Sequence, residues 1–242
     1  MNIQCKLVML ILALTLDEQV HTGEIIGGHE AVAHSRPYMV LLEGEMPRGK
    51  TKHCGGFLLN EDFVMTAAHC QAKSYTVLLG VHIYGQKTNG IQEIPVEQAF
   101  PHEDYDAAEY KNDIMLLKLH SKAKFSKNVE SIALADQSGD SLPQSCIVSG
   151  WGRTENSNKY MSPKLMEINV KLIETCVKEK SYCSQGHNGP DVGDSGGPLV
   201  CEDGKAYGVV SSAFSPPEGG PKVYHYVKIP DYRSWIDTIM KK

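Results

Sequence analysis

The sequence predicts an all-β protein, a sandwich or barrel built from many short strands. Short apolar runs recur along the chain and are separated by Gly, Pro, Asn and Asp, and the 242 residues include 22 glycines and 12 prolines. No pattern of strands alternating with long helices is present, which argues against a parallel sheet. The predicted strands lie at 38–42, 56–59, 63–66, 75–79, 91–96, 114–119, 146–149, 165–170, 198–201, 206–211 and 224–227.

The carboxyl-terminal end predicts the one clear helix. Pro230 is suited to a first helical turn. Apolar side chains then recur with the spacing of one helix face at Tyr232, Trp235, Ile236, Ile239 and Met240. The polar stretch 121–127 is the expected boundary between two halves of the chain.

Composition narrows the functional classes. The apolar fraction of 41% and the charged fraction of 22% are ordinary for a globular protein. The net charge of −5 argues against nucleic acid as the main partner. No motif indicates a cofactor.

Residues 1–22 predict a signal peptide. Lys6 supplies a positive charge, residues 7–16 are apolar, and polar residues then lead to Val20 and Thr22. Ten apolar residues are too few to span about 30 Å of hydrocarbon, so a membrane anchor is not expected. The predicted location is therefore secreted or in a secretory granule.

The cysteines fit an oxidising compartment. Cys5 would leave with the signal peptide, and the other six can form three disulfides in fifteen pairings. They are Cys54, Cys70, Cys146, Cys176, Cys183 and Cys201. No zinc-type spacing is present, so no metal site is expected.

Three separated motifs indicate nucleophilic catalysis. The sequence GDSGGP places Ser195 in a turn of small residues, TAAHC places His69 after an apolar run, and NDIMLL places Asp113 before another. A serine hydroxyl needs a base to take its proton and donors to hold the oxyanion. A histidine oriented by an acid is such a base, so the three residues are candidates for one site.

The sequences IIGG and SGWG are also present, and all five motifs occur in the order found in the chymotrypsin or trypsin family of serine proteases. Residues 25–242 therefore resemble that family. The resemblance implies two antiparallel six-stranded barrels, about 25–122 and 123–242, followed by the helix. It implies a triad of Ser195, His69 and Asp113, an oxyanion hole made by the N–H groups of Gly193 and Ser195, and a supporting role for Ser211.

The resemblance also implies activation by cleavage. In the family, a new amino terminus pairs with the acid before the nucleophile, here Ile25 with Asp194. The residue before the cut is Glu24 rather than Lys or Arg, so Gly23 and Glu24 form an activation dipeptide. This resembles the granzyme and mast-cell protease branch and implies an activating dipeptidyl peptidase. Protein or peptide substrates and protein protease inhibitors are the other expected partners.

The same branch implies which cysteines pair and which are missing. Asp191 stands where many trypsin-like members have a cysteine beside the specificity pocket, and six residues separate Cys176 from Cys183. The implied pairs are Cys54–Cys70, Cys146–Cys201 and Cys176–Cys183.

Primary specificity remains open between two interpretations. Gly189 stands at the expected floor of the primary pocket, where no Asp attracts Lys or Arg, and Ala213 stands at its wall. Lys222 would favour an acidic substrate side chain if it faces the pocket. If it extends to water, the pocket takes an apolar or aromatic side chain. The alternative function is a catalytically silent family member that acts as a binding or antimicrobial protein.

Overall fold

The computed structural model describes residues 27–86, 88–136, 142–153, 160–174, 176 and 178–242. These residues form thirteen strands and one short α-helix, so the predicted all-β class is confirmed. The strands are β1 (His29–Glu30), β2 (Met39–Glu45), β3 (Thr51–Leu58), β4 (Phe63–Thr66), β5 (Ser74–Leu79), β6 (Gln92–Pro101), β7 (Met115–Leu119), β8 (Ser145–Gly150), β9 (Met166–Ile173), β10 (Ser181–Gly186), β11 (Pro198–Cys201), β12 (Ala206–Phe214) and β13 (Lys222–Lys228).

The first barrel is closed by six antiparallel strands in the order β2-β3-β4-β7-β6-β5. Strand β2 pairs with β3 on one side and with β5 on the other, so no edge is left open there. Val40, Phe57, Val64 and Leu117 are completely buried in its core. Closure removes the unpaired edges that a flat sheet would expose.

The second barrel has the order β9-β10-β13-β12-β11-β8, and pairing of β8 with β9 closes it. Its core contains Val148, Leu199 and Tyr226. The two six-stranded barrels implied by the family resemblance are therefore present.

Both ends of the described chain cross to the other barrel. Strand β1 adds to the second barrel by pairing with β9, with His29 opposite Glu167. Helix α1 (Arg233–Ile239) follows a 3-10 turn (Ile229–Tyr232). Its Ile236 and Ile239 belong to the same hydrophobic core as the buried residues of the first barrel. Pro230 lies in the 3-10 turn, so the predicted helix is confirmed but begins later. No described helix is long and apolar enough to cross a membrane.

Each predicted strand run overlaps a strand of the structure, whereas β1 and β10 were not predicted. Strand β10 has the sequence SYCSQG and therefore carries no apolar run. It forms because β9 and β13 flank it on both sides and satisfy its backbone. Pairing with neighbouring strands, and not the local propensity of its own residues, thus makes this segment a strand.

Three disulfides join the pairs that the family resemblance implied: Cys54–Cys70, Cys146–Cys201 and Cys176–Cys183. The first disulfide joins two cysteines whose positions differ by 16, and it links β3 to the turn that carries His69. The second joins β8 to β11, where the two half-cystines are direct strand partners.

Candidate active site

Ser195 lies in a tight loop that precedes β11 and rests on the first barrel. The N–H of Gly55 in β3 donates a 2.7 Å hydrogen bond to the carbonyl of Ser195. Gly196 has a φ of +84°, and a Cβ there would lie 2.1 Å from Oγ1 of Thr66 and 2.5 Å from the carbonyl of Gly55. Only glycine fits this approach, so the loop can carry Ser195 to the junction of the barrels.

His69 is fixed by two contacts with one carboxylate. It lies in a 3-10 turn (Ala68–Cys70) directly after β4. Its backbone N–H donates to Oδ1 of Asp113 at 2.7 Å, and its Nδ1 lies 2.7 Å from Oδ2 of the same residue. The turn and the ring are therefore oriented together, and Nε2 is the ring nitrogen that Asp113 does not engage.

Asp113 is completely buried just before β7. Ser211 donates a 2.6 Å hydrogen bond from Oγ to Oδ2 of Asp113, and it lies at a register shift in β12. Burial alone would raise the pKa of Asp113, but the hydrogen bonds and charge of His69 and the hydroxyl of Ser211 outweigh it and lower the pKa. Asp113 is therefore held as a carboxylate.

Lys52 is a contact of the site that sequence reasoning missed. Its Nζ donates a 2.7 Å hydrogen bond to the carbonyl of His69. Partial burial lowers the pKa of Lys52, although the charge of Asp113 opposes that change. An ordinary lysine in strand β3 carries no pattern that marks this role.

The loop before Ser195 leaves backbone donors available. Gly193 has a φ of +108°, and a Cβ there would lie 2.8 Å from Cα of Gly152. The structure gives neither the N–H of Gly193 nor that of Ser195 an acceptor among the residues it describes. Free N–H groups beside a serine nucleophile are the donors that an oxyanion hole requires.

Asp194 is a completely buried carboxyl group. It accepts hydrogen bonds from the N–H of Gly152 at 2.7 Å and of Asp191 at 2.9 Å. Burial raises the pKa of Asp194 from 3.8 to about 7 despite these two bonds. Ile25, the partner implied by the family resemblance, lies outside the described residues.

Tyr224 occupies the space beside the expected pocket floor. A Cβ on Gly189 would lie 2.5 Å from atoms of the Tyr224 ring, and Tyr224 is only 2% exposed. Ala213 is the strand partner of Tyr224 across β12 and β13. Lys222 begins β13 opposite Gly186, two residues from Tyr224 and on the same face of the strand. Sequence reasoning missed Tyr224, because one tyrosine in a buried strand carries no signal of a pocket.

A cavity of about 960 Å³ is lined by residues that neighbour Asp113 and Ser211 in the chain. Tyr110 and Asn112 line it from the segment before Asp113, and Ser212 and Phe214 line it from β12. The ring of Tyr110 meets the His69 ring edge-on, with 5.5 Å between centroids. The space is large enough for several residues of a polypeptide.

Among the residues that the structure describes, two groups of side chains have the composition of a metal site: His69 with Cys54 and Cys70, and His225 with Cys176 and Cys183. In each group the cysteines are joined in a disulfide. A disulfide offers no thiolate, which is the form of cysteine that binds metals. Neither group therefore fits a metal ion.

Comparisons with known proteins agree with this geometry. The family described as Trypsin matches residues 25–236. Granzyme B(G,H) of Mus musculus is 38% identical over 257 residues, which cover 98% of this chain and 99% of that protein. Chymase of Rattus norvegicus is 38% identical and covers 97% of this chain and 98% of its own length. A solved structure described as "Structure of GrC" has a TM-score of 0.79 and 36% identity, and covers 90% of this chain and 100% of its own.

Proposed function

Because the chain belongs to the trypsin family of serine proteases, we propose that it is a secreted or granule endopeptidase made as an inactive zymogen. Residues 1–22 are the signal peptide, 23–24 the activation dipeptide and 25–242 the protease domain. The observation that supports catalysis best is the buried carboxylate of Asp113, which engages both His69 and Ser211.

The chemistry is acyl transfer through a serine ester. Ser195 Oγ attacks the scissile carbonyl carbon as Nε2 of His69 takes its proton. Asp113 holds Nδ1 and stabilises the imidazolium that forms. The N–H groups of Gly193 and Ser195 hold the oxyanion. His69 then protonates the leaving amine, and water, deprotonated by His69, attacks the acyl-enzyme and releases the acid.

Asp194 supports the proposed activation. An ionised carboxylate that is completely buried needs a cationic partner, because an unpaired buried charge is very costly. Cleavage before Ile25 creates a charged α-amino group, and its entry beside Asp194 satisfies that need. The ion pair then holds the 193–195 turn that supplies the oxyanion donors. A dipeptidyl peptidase that removes Gly23 and Glu24 is the activating partner.

The test compares the chain that begins at Gly23 with the chain that begins at Ile25. A fluorophosphonate probe should label Ser195 rapidly in the chain trimmed to Ile25 and at least a hundredfold more slowly in the other. Ser195→Ala in the trimmed chain is the control and should not be labelled. Equal labelling of both forms would refute the zymogen, and labelling of neither would favour the catalytically silent binding protein.

We further infer that the primary pocket is not trypsin-like and is short. Gly189 brings no charge to its floor, and the Tyr224 ring fills the space beside that glycine. The sequence left open an acidic preference and an apolar or aromatic one. In a short pocket, these reduce to an acidic side chain or an apolar side chain shorter than phenylalanine. Lys222, on the same strand face as Tyr224, favours the acidic one.

A peptide library cleaved by the trimmed chain tests the pocket. Tyr224→Ala should extend the primary preference to Phe and Tyr, because it removes the ring beside Gly189. Lys222→Met should reduce cleavage after Asp and Glu relative to Leu. Tyr207→Ala, near the start of β12 where Tyr207 donates to Asp203, removes the same volume outside the pocket and should leave the profile unchanged. Efficient cleavage after Phe by the wild-type chain would contradict the short pocket.

A further inference from the structure

The Cys176–Cys183 disulfide has a histidine ring against both of its sulfur atoms. Nδ1 of His225 lies 3.3 Å from Sγ of Cys183 and 3.8 Å from Sγ of Cys176. Cys183 in β10 and His225 in β13 are direct antiparallel partners. Side chains of such partners project from the same face of a sheet, with their Cβ atoms about 5 Å apart. The register of two strands therefore places the imidazole beside the disulfide.

The two sulfur atoms of this disulfide differ in accessibility. Cys176 lies in the loop between β9 and β10 and is partly exposed, whereas Cys183 is completely buried. In thiol–disulfide exchange, a thiolate attacks one sulfur and the other sulfur leaves as a thiolate. A thiolate from solvent has access to Cys176, so the sulfur that leaves is that of Cys183, which is the one closer to His225.

The surroundings of Cys183 favour its departure as a thiolate. With a proton on Nδ1, the His225 ring donates a hydrogen bond to that sulfur. Lys178, two residues after Cys176, is a half-buried cation. Burial and the charge of Lys178 both lower the pKa of His225, so the lysine acts on the same group. Neighbouring donors and positive charge lower the pKa of a cysteine thiol and make it a better leaving group.

The other two disulfides do not present an accessible sulfur. All four of their cysteines are buried, namely Cys54, Cys70, Cys146 and Cys201. His69 lies beside the first of these pairs, but its Nδ1 is engaged by Asp113. An attacking thiolate therefore meets only protected sulfur atoms at both sites.

The loop that Cys176–Cys183 closes is also the shortest of the three. Its two cysteines differ by 7 in position, whereas those of the other disulfides differ by 16 and 55. In the chain-entropy model, the stability that a disulfide contributes grows with the length of its loop. Opening this bond therefore costs the least stability, and the barrels keep their strand pairing.

We propose that the Cys176–Cys183 disulfide is a thiol-exchange site, at which a small thiol such as glutathione forms a reversible mixed disulfide with Cys176. The thiolate of the small thiol attacks Sγ of Cys176, the bond between the two cysteines breaks, and its electron pair passes to Sγ of Cys183. His225 donates a hydrogen bond to the thiolate that forms. Attack of this thiolate on Cys176 restores the original bond and releases the small thiol.

This site goes beyond the proposed endopeptidase function and does not depend on it, because none of its atoms belongs to the candidate triad. Residues 178–181 of the same loop line the cavity described above. The exchange therefore frees a segment that forms part of the cavity wall.

The test uses the folded chain that begins at Ile25 and carries Ser195→Ala, so that no proteolysis intervenes. Reduced glutathione is added near neutral pH, free thiols are alkylated at intervals, and peptide mass spectrometry locates each modification. Glutathione should appear on Cys176 and the alkyl group on Cys183. Both should appear roughly tenfold faster than any modification of the other four cysteines. Circular dichroism should show that the chain stays folded.

His225→Phe removes the donor beside Cys183 and should slow modification of Cys176 about fivefold, and Lys178→Met should slow it about twofold. His120→Phe makes the same change at an exposed histidine after β7 and should leave the rate unchanged.

Attachment of glutathione to Cys183, earlier opening of another disulfide, or no modification at all would overturn the inference. Equal rates in the parent chain and in His225→Phe would also overturn it, and Lys178→Met carries this comparison if His225→Phe does not fold. Fluorophosphonate labelling of the chain with Ser195 intact tests the proposed function separately, so either proposal can fail while the other stands.

Discussion

The hydroxyl of Ser211 lies 2.6 Å from Oδ2 of Asp113, although their positions in the chain differ by 98. The same oxygen lies 2.7 Å from Nδ1 of His69. The donor comes from β12 of the second barrel and the acceptor from the segment before β7 of the first. One buried carboxylate thus links the two barrels and contacts the proposed catalytic base, His69.

Ser211→Ala should lower kcat/KM roughly tenfold, because a buried carboxylate loses a hydrogen bond to its charged form. The pKa of Asp113 should rise toward its ordinary value, since that bond helps to lower it. The stability that Asp113 contributes is lost as pH falls through its folded-state pKa, so acid unfolding should begin at a higher pH. Ser212→Ala, one residue further along β12, is the control for acid unfolding and should leave the unfolding midpoint unchanged. An unchanged acid-unfolding midpoint in Ser211→Ala would contradict this role.

Asp113→Asn should reduce kcat by about 10⁴ while the protein stays folded, because the amide cannot hold the required tautomer of His69 or stabilise its cation. Peptide cleavage by the chain trimmed to Ile25 measures the loss, and circular dichroism checks the fold. A loss below tenfold would show that His69 does not depend on Asp113.

Gly196→Ala should abolish labelling of Ser195. The new Cβ would lie 2.1 Å from Oγ1 of Thr66 and 2.5 Å from the carbonyl of Gly55, so the loop must leave the first barrel. Gly204→Ala is a matched control, since Gly204 also has a positive φ, +76°, but nothing lies within 4 Å of its Cβ position. The control should lose only about 1 kcal/mol of stability and keep its labelling rate. If both substitutions slow the labelling of Ser195 equally, backbone strain at a positive φ explains the loss, and the close approach of Gly196 to the first barrel does not.

The buried carboxyl group of Asp194 should make the stability of the uncut chain depend on pH, and cleavage before Ile25 should remove that dependence. Burial raises its folded-state pKa from 3.8 to about 7, so between these values the folded chain holds a proton that the unfolded chain has lost. The stability of the uncut chain should therefore fall as pH rises through this window. The uncut Asp194→Asn variant should lack this slope of stability against pH. In the trimmed chain the α-amino group should lower the pKa of Asp194, and the slope should disappear there too. Denaturant unfolding at several pH values measures each slope, and identical slopes in all three proteins would refute the prediction.

The strand segments could be predicted, and the candidate catalytic motifs recognised, because each is a local pattern. The apolar runs at 63–66 and 114–119 became β4 and β7, and they carry His69 and Asp113 at their ends. Strand β10 was missed because its partners, and not its own residues, make it a strand. The family resemblance supplied the disulfide pairs that cysteine counting left among fifteen.

By itself, the sequence determined the all-β class and the tail helix, and it predicted Ser195, His69 and Asp113 as a candidate triad, because these follow from local periodicity and short motifs. Only the tertiary structure decided that Lys52 donates to the carbonyl of His69, that Tyr224 fills the space beside Gly189, and that Lys178 faces a cavity. These contacts join segments far apart in the chain. Closure of the barrels fixes their distances, and no local pattern encodes them.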